Sequence, residues 1–287
     1  MISHPEKVLF PEDGITKGEL AEYYQAMAPL MLPHVRGRPV TLERYPSGIG
    51  KKGFWQKDVS RGFPEWLERV EVPKKGGTVH HPLAADARSI AWMANQNTIT
   101  LHVWPSRVPT LLRPDLCLFD LDPAVDDPAV ARAAALAVRG LLDELGLRSW
   151  VKTTGSKGFH VTVPLDGSAT FDEVAAFAHR AGALLVKRHP ERLTQEFLKA
   201  DRGGRVLVDT GRNGWSATFA AAYTVRARPG APVSAPCAWS EIESGAVGPR
   251  SFTLRSMRAR VDAVGDLWAD LLKAGGQALA EAAGRLR

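Results

Sequence analysis

Leu116-Cys117-Leu118-Phe119-Asp120-Leu121-Asp122-Pro123 is an apolar, strand-like run whose last residues include two carboxylates. Side chains two apart in a strand point the same way, so Asp120 and Asp122 share one face. Arg205-Val206-Leu207-Val208-Asp209 has the same character and ends on a third carboxylate. Three carboxylates at the ends of two buried strands repel one another unless a cation neutralises them. Hard divalent ions such as Mg²⁺ or Mn²⁺ suit oxygen-rich sets of this kind. A pair of such ions is a standard device for moving a nucleotidyl or phosphoryl group. The chain therefore reads first as a metal-dependent enzyme acting on phosphates.

Around this run, helix and strand signals alternate without a strict strand-helix-strand repeat. Thr16-Lys17-Gly18-Glu19 has capping-box spacing and predicts a helix through about Leu32, closed by Pro33. Strands are expected at 39–44, 69–73 and 98–104, with a helix over 82–96; a loop rich in Gly and Lys, Gly48 to Gly53, precedes Phe54-Trp55-Gln56-Lys57. Asp127 caps a further helix, with Pro128 in its first turn and Gly146 just past its end. Ser149 to Lys152 and Phe159 to Val163 read as two strands. Thr170-Phe171-Asp172-Glu173 is a second capping box, opening a helix to about His189. Phe219 to Ala227 reads as a strand, and Asp266 onward as a final amphipathic helix weakened by Gly275 and Gly276. The mixture predicts an α+β fold with mixed or antiparallel sheets flanked by helices.

Composition narrows the class. The 287 residues are 45% hydrophobic and 24% charged, enough for a substantial core in a soluble protein. A net charge of +6 mildly favours a polyanionic partner. Cys117 and Cys237 offer no disulfide framework, which fits a reducing cytoplasm. No signal peptide and no apolar stretch long enough for a bilayer is visible, so no membrane partner is expected.

Two further segments carry chemistry. In Lys152-Thr153-Thr154-Gly155-Ser156-Lys157-Gly158-Phe159-His160 the glycines let backbone approach an anion, and amides and hydroxyls can donate to phosphate oxygens. Lys157 adds a point charge and His160 a ring N–H. The spacing is not that of a Walker loop. In Tyr223-Thr224-Val225-Arg226-Ala227-Arg228-Pro229 a strand would put Arg226 and Arg228 on one face, a fork suited to a triphosphate.

These motifs, in this order, resemble the archaeo-eukaryotic primase superfamily, and specifically the polymerase domain of bacterial ATP-dependent DNA ligase D. The resemblance runs from Pro5-Glu6-Lys7-Val8-Leu9-Phe10-Pro11 to the segment around Arg226. It implies a primase-type catalytic domain, a DNA-directed nucleotidyltransferase with two divalent metal ions (Mn or Mg) held by Asp120, Asp122 and Asp209. It implies that Thr154, Ser156, Lys157 and His160 hold the incoming nucleotide's phosphates with Arg226, and that His102 lies near its sugar. Lys7 and Lys17 match a pair that grips the 5′-phosphate of a downstream strand. Phe54 and Trp55 match an aromatic pair that stacks near the template, in keeping with aromatics as base platforms. The implied function is addition of nucleotides, preferentially ribonucleotides, at gaps and broken DNA ends in non-homologous end joining, with primer synthesis also admitted. NTP or dNTP and DNA with a gap or broken end are the implied substrates, a separate DNA ligase and Ku the implied partners, and the nucleoid-bearing cytoplasm the location.

Three positions depart from the family pattern: Thr154 where Ser is usual, Arg212 where Gln is common, and His4 where Asn often stands. No Lys-x-Asp-Gly ligase nucleophile motif appears within the sequence. The expectation is a single catalytic domain over 1–287, with 1–110 as a DNA-end and template-binding subregion and 111–287 as catalytic core and C-terminal helix. A stand-alone polymerase protein is expected rather than an excised piece. Two other classes compete: a non-catalytic end-bridging protein, and a metal-dependent phosphatase or nuclease.

Overall fold

Residues 2–59 and 62–286 are described by a computed structural model. The chain divides into two compact units interleaved in sequence. The first comprises Met1–Pro109, Thr218–Ala235 and Phe252–Asp266; the second comprises Thr110–Ala217, Pro236–Ser251 and Leu267–Arg287. In chain order the first unit contributes β1 (Val8–Phe10), β2 (Ile15–Thr16), α1 (Lys17–Val35), β3 (Val40–Arg44), β4 (Phe54–Gln56), β5 (Arg69–Lys74), β6 (Gly77–Pro82), α2 (Ala87–Asn95) and β7 (Thr98–Val103). The second unit contributes β8 (Leu116–Pro123), α3 (Pro128–Glu144), β9 (Trp150–Thr153), β10 (Phe159–Pro164), α4 (Phe171–Arg188), β11 (Leu193–Thr194) and β12 (Val206–Asp209). The chain then alternates: β13 (Phe219–Ala220) in the first unit, β14 (Pro236–Cys237) and α5 (Trp239–Ser244) in the second, α6 (Met257–Val264) in the first, α7 (Ala269–Lys273) and α8 (Ala280–Arg285) in the second.

The apolar run read first from sequence is a central strand of the second unit. That unit's sheet has the order β11-β12-β8-β10-β9-β14, with β11 and β12 parallel and the other pairs antiparallel. Leu116 to Phe119 are all buried, because a strand covered on both faces has no solvent side. Alternate residues Phe119, Leu121, Val151, Val161 and Val208 are almost wholly buried, and α3 and α4 pack against β8. The first unit's main sheet runs β13-β7-β3-β4, all antiparallel, with β5 and β6 forming a separate hairpin. The fold is α+β, with antiparallel and mixed sheets flanked by helices, as the sequence predicts.

Helix starts follow their capping residues. The Glu19 N–H donates to Thr16 Oγ1 at 3.2 Å, and the Thr16 N–H donates back to Glu19 Oε2 at 3.0 Å. Thr170 and Glu173 close the same reciprocal box at α4, and Asp127 caps α3 through the Ala129 N–H. Each such cap contributes about 1 kcal/mol. Helix α1 outruns its expected end, however, continuing through Pro33 to Val35. A proline forfeits its own N–H, but the turn beyond it can still bond: the Arg36 N–H donates to Leu32 O at 2.9 Å.

Two other expectations need correction. The strand beginning at Phe219 stops at Ala220, because Tyr223 adopts a left-handed backbone (φ +66°) that ends the extended run. Val225 pairs with Val233 only as an isolated bridge, and the Arg228 N–H turns back to Arg226 O at 2.8 Å. Arg226 and Arg228 therefore do not share a strand face. The expected C-terminal helix is two short ones, α7 and α8. Gly275 turns at φ +67°, and a Cβ on Gly276 would fall 2.2 Å from Asp166 Cα, so the chain there lies tight against the segment after β10.

Candidate active site

The second unit carries its polar groups as a row across the sheet. Strand register puts Asp209 of β12 directly opposite Asp120 of β8, Asp120 opposite His160 of β10, and His160 opposite Lys152 of β9. Directly opposed residues of an antiparallel pair project to the same face. Four sequence-distant side chains thus become neighbours: two carboxylates, an imidazole and a lysine. His160 Nε2 lies 3.3 Å from Asp120 Oδ1. Lys152 is fully buried within this row. Sequence reading quoted Lys152 within the hairpin but did not place it in this row; the signal is a lone lysine in Trp150-Val151-Lys152-Thr153, on the alternation that puts Val151 in the core.

Arginines neutralise the carboxylates. Arg212 Nε lies 3.3 Å from Asp120 Oδ2 and 3.4 Å from Asp209 Oδ2. Burial raises the Asp209 pKa; Arg212 pulls it down and Asp120 pushes it up again, leaving it above the usual carboxylate value. For a carboxyl raised in this way, the folded state is favoured while the group is protonated and loses stability as the pH climbs through its folded pKa. Near neutrality the buried, ionised Asp209 therefore costs the fold free energy. Asp122 is engaged differently. Arg202 Nη1 donates to its Oδ2 at 2.8 Å and to its main-chain oxygen at 3.2 Å, while other nitrogens of Arg202 donate to Glu196 O and Phe197 O. Sequence reading passed over Arg202, which is buried although nothing in its local pattern marks it.

Consequently the three aspartates are not gathered alike. Asp120 and Asp209 face one another, whereas Asp122, one step along β8, is turned to Arg202. Among the described residues no group of three or more His, Cys, Asp or Glu side chains is assembled for metal binding. The donor set nevertheless fits a hard divalent cation: two opposed carboxylates, a third two residues away, and a positive group already lying against the pair.

The hairpin between β9 and β10 stands beside this row. Thr154 does not offer its hydroxyl outward. Its Oγ1 donates to Gly158 O at 2.9 Å and accepts from the Ser156 N–H at 3.1 Å, stapling the turn from inside. Gly155 takes φ +63° and its N–H donates to Pro249 O. Ser156 and Lys157, only half-buried, occupy the tip. Gly158 meets β8 so closely that a Cβ there would lie 1.6 Å from Leu121 O. The turn is thereby locked to the strand that carries Asp120 and Asp122.

In the first unit, His102 on β7 sits 3.2 Å from Glu43 Oε2 through Nε2, with its ring against Trp55 (centroids 4.4 Å apart, planes at 60°). Burial pushes the Glu43 carboxyl up, but hydrogen bonds from His102, Thr100 and Tyr45 outweigh it and hold the group below its ordinary value. Glu43 was also passed over in the sequence reading; it lies on the alternating strand Val40 to Arg44. Trp55 is 57% exposed, and Phe54, on the opposite face of β4, lies under the Arg44 guanidinium at 5.2 Å.

Lys7 and Lys17 meet at the start of α1, where the Lys17 N–H donates to Lys7 O at 2.8 Å. The Lys17 ammonium donates to Ser3 O (2.7 Å) and Ser3 Oγ (2.9 Å). Burial and then Lys7 lower its pKa, against a smaller opposing pull from Glu6. A helix N-terminus with two lysines beside it is favourable ground for an anion. Arg226 is half-buried after its bridge at Val225, and its N–H donates to Pro232 O at 2.8 Å.

Opposed acidic side chains on β8 and β12 thus share one sheet with a glycine-rich, lysine-tipped turn. A profile described as the LigD primase-polymerase domain matches residues 16–268. The chain belongs to this family, whose members are DNA-directed nucleotidyltransferases. Among curated relatives, the multifunctional non-homologous end joining protein LigD of Mycolicibacterium smegmatis is 33% identical over 274 residues, covering 94% of this chain and 36% of that protein. The Pseudomonas aeruginosa protein of the same description is 38% identical over 278 residues, covering 94% and 32%. The chain thus spans about a third of the length of the curated relatives it matches. Among solved structures, the polymerase domain of Mycobacterium tuberculosis Ligase D, in complex with DNA, matches with a TM-score of 0.89 at 32% identity, covering 96% of this chain and 98% of that one. No helix of the described residues is long and apolar enough to cross a membrane.

Proposed function

We propose that the chain adds nucleotides to a template-paired 3′ end at DNA gaps and broken ends, using NTPs in preference to dNTPs, in non-homologous end joining. The observation that carries this reading is the row Asp209, Asp120, His160 and Lys152, set beside the Ser156-Lys157 turn on one sheet. Asp120, Asp209 and Asp122 would hold divalent Mn or Mg, which when bound activates the attacking hydroxyl and stabilises the leaving pyrophosphate. The chain's own groups do the rest. His160, held by Asp120, presents a ring N–H to a phosphate oxygen, and Lys157 and Ser156 supply charge and hydrogen bonds at the exposed turn. Thr154 acts from inside that turn, keeping its amides in place. His102, fixed by Glu43 and Trp55, is assigned to the sugar, and Trp55 and Phe54 to template stacking.

A primer-template incubated with Mn²⁺ and labelled NTP tests the reading directly. Extension supports it; an unchanged primer or a shortened one refutes it. We place the protein in the cytoplasm at the nucleoid, acting with a DNA ligase that seals the product and with Ku at the ends. The catalytic unit is read as one domain, its N-terminal third serving the DNA end and template.

Arg226→Ala removes a charge-assisted contact to the triphosphate and should raise the Michaelis constant for NTP about tenfold, equivalent to about 1.4 kcal/mol. DNA affinity without NTP should barely move. Lost DNA binding with an unchanged Michaelis constant would move Arg226 to the DNA-binding surface.

Lys7 and Lys17 should make gapped DNA with a 5′-phosphate a better ligand than the same gap with a 5′-hydroxyl. Charge-assisted bonds of about 1.5–3 kcal/mol each predict at least a tenfold preference. Lys7→Ala with Lys17→Ala should erase it while extension of simple primer-templates continues. Equal wild-type affinity for the two gaps would sink this assignment.

A further inference from the structure

Arg212 lies where the carboxylate pair needs a cation, and its surroundings differ from those of Arg202. Its backbone is fixed in a short 3-10 turn, Gly211–Asn213. The Asn213 side chain anchors that turn to β8, accepting from the Leu118 N–H and donating to Leu118 O, both at 2.7 Å. The Gly211 N–H donates to Asp209 Oδ1 at 2.8 Å. The base of the side chain is therefore returned to one place, while the side chain itself is 42% exposed. Arg202, by contrast, is 6% exposed and bonded to three main-chain oxygens, Glu196 O, Phe197 O and Asp122 O. Arg202 cannot leave without stranding a buried charge, whereas Arg212 can swing into water at little cost.

We infer that Arg212 is a resident counter-ion of the Asp120–Asp209 pair that a divalent cation must displace, and so sets the site's metal affinity; this rests on reading those carboxylates as metal ligands. A guanidinium is always charged, and its planar donors match carboxylate oxygens. A divalent ion within about 4 Å of a retained guanidinium would meet like-charge repulsion, so the two cations compete for the same oxygens. Binding is then an exchange: the ion gains the oxygens that Arg212 gives up. The metal-free sheet is stabilised by the internal pair, and the affinity for metal is lowered by the same interaction.

Calorimetric titration of the DNA-free chain with MnCl₂ tests this, comparing wild type with Arg212→Gln, Arg212→Met, Arg212→Lys and, as a charge control, Arg192→Gln. Both neutral variants at 212 should bind Mn²⁺ about tenfold tighter, with the Lys variant and the control within about threefold of wild type. Melted in EDTA, the neutral variants should fall below wild type, then gain more than wild type on adding Mn²⁺. A merely structural role for Arg212 would lower both melting points together. Equal or weaker Mn²⁺ binding by whichever neutral variants fold overturns the inference, as does equal tightening in the Arg192 control. If wild type and every variant fail to bind Mn²⁺, the metal reading of the aspartates falls, and this inference falls with it.

Discussion

Replacing Asp120 and Asp122 together with Ala is expected to reduce nucleotide addition at least about a hundredfold, the scale of several kcal/mol that metal-assisted charge stabilisation supplies. Asp120 faces Asp209 across the β8–β12 register, and Asp122 is the group that neutralises buried Arg202. Neither has reason to touch DNA except through a cation, so DNA affinity should stay within about twofold, on the order of 0.4 kcal/mol. Because the Ala variant strips a partner from Arg202, the Asp120→Asn and Asp122→Asn pair should be made alongside it, keeping shape and hydrogen bonding without the charge. Primer extension and a DNA-binding isotherm are the measurements. Activity of the Asn pair above a few per cent of wild type would remove these aspartates from the chemistry.

The second large effect is expected at Gly158. A methyl group there would sit 1.6 Å from Leu121 O and 2.8 Å from Leu121 C, both main-chain atoms of β8. Neither can rotate aside, so the hairpin and the strand must separate. Overpacking of this kind costs about 3 kcal/mol or more, a fall of roughly 10 °C in melting temperature for a unit of this size. Nucleotide affinity should weaken too, since the displaced turn carries Ser156 and Lys157. Gly140 is the control. It lies exposed on α3 with nothing within 4 Å of an added Cβ, so Gly140→Ala should stabilise the chain by about 0.5–1 kcal/mol. Were Gly158→Ala to melt within 2 °C of wild type, roughly the shift that 0.5–1 kcal/mol produces, the close approach of hairpin and β8 would be wrong.

Legibility from sequence followed the range of the interaction. The apolar run of β8, the capping boxes at Thr16 and Thr170 and the Asp127 cap are decided within a few residues, and each stands where its pattern puts it. Arg226 and Arg228 read as a strand because Tyr223 looks like any other strand aromatic; its left-handed backbone accompanies hydrogen bonds to Asp266, from the hydroxyl, and from Tyr23, through the carbonyl, that no local pattern encodes. The C-terminal helix was broken by close packing of Gly276 against residue 166, again a distant partner. In the candidate site the carboxylates were legible as acidic residues at the ends of apolar strands. Their partners were not: Arg202 owes its place to main-chain oxygens of other segments and Arg212 to a short turn anchored on β8, while Lys152 joins the row only through strand register.

That register has a consequence for how activity can be lost. A slip of one residue between β12 and β8 would set Val208 against Asp120 and turn Asp209 to the opposite face of the sheet. On that path β12 alone changes face, so Asp209 leaves the row outright while Asp120, His160 and Lys152 keep their places. The site is thus digital in the sheet's pairing: variants that loosen β12 or β10 should lose turnover in step with the fraction of molecules mispaired, while the remaining molecules work at full rate. Single-molecule extension traces of such a variant would show fewer active molecules, each with the stride of the wild type.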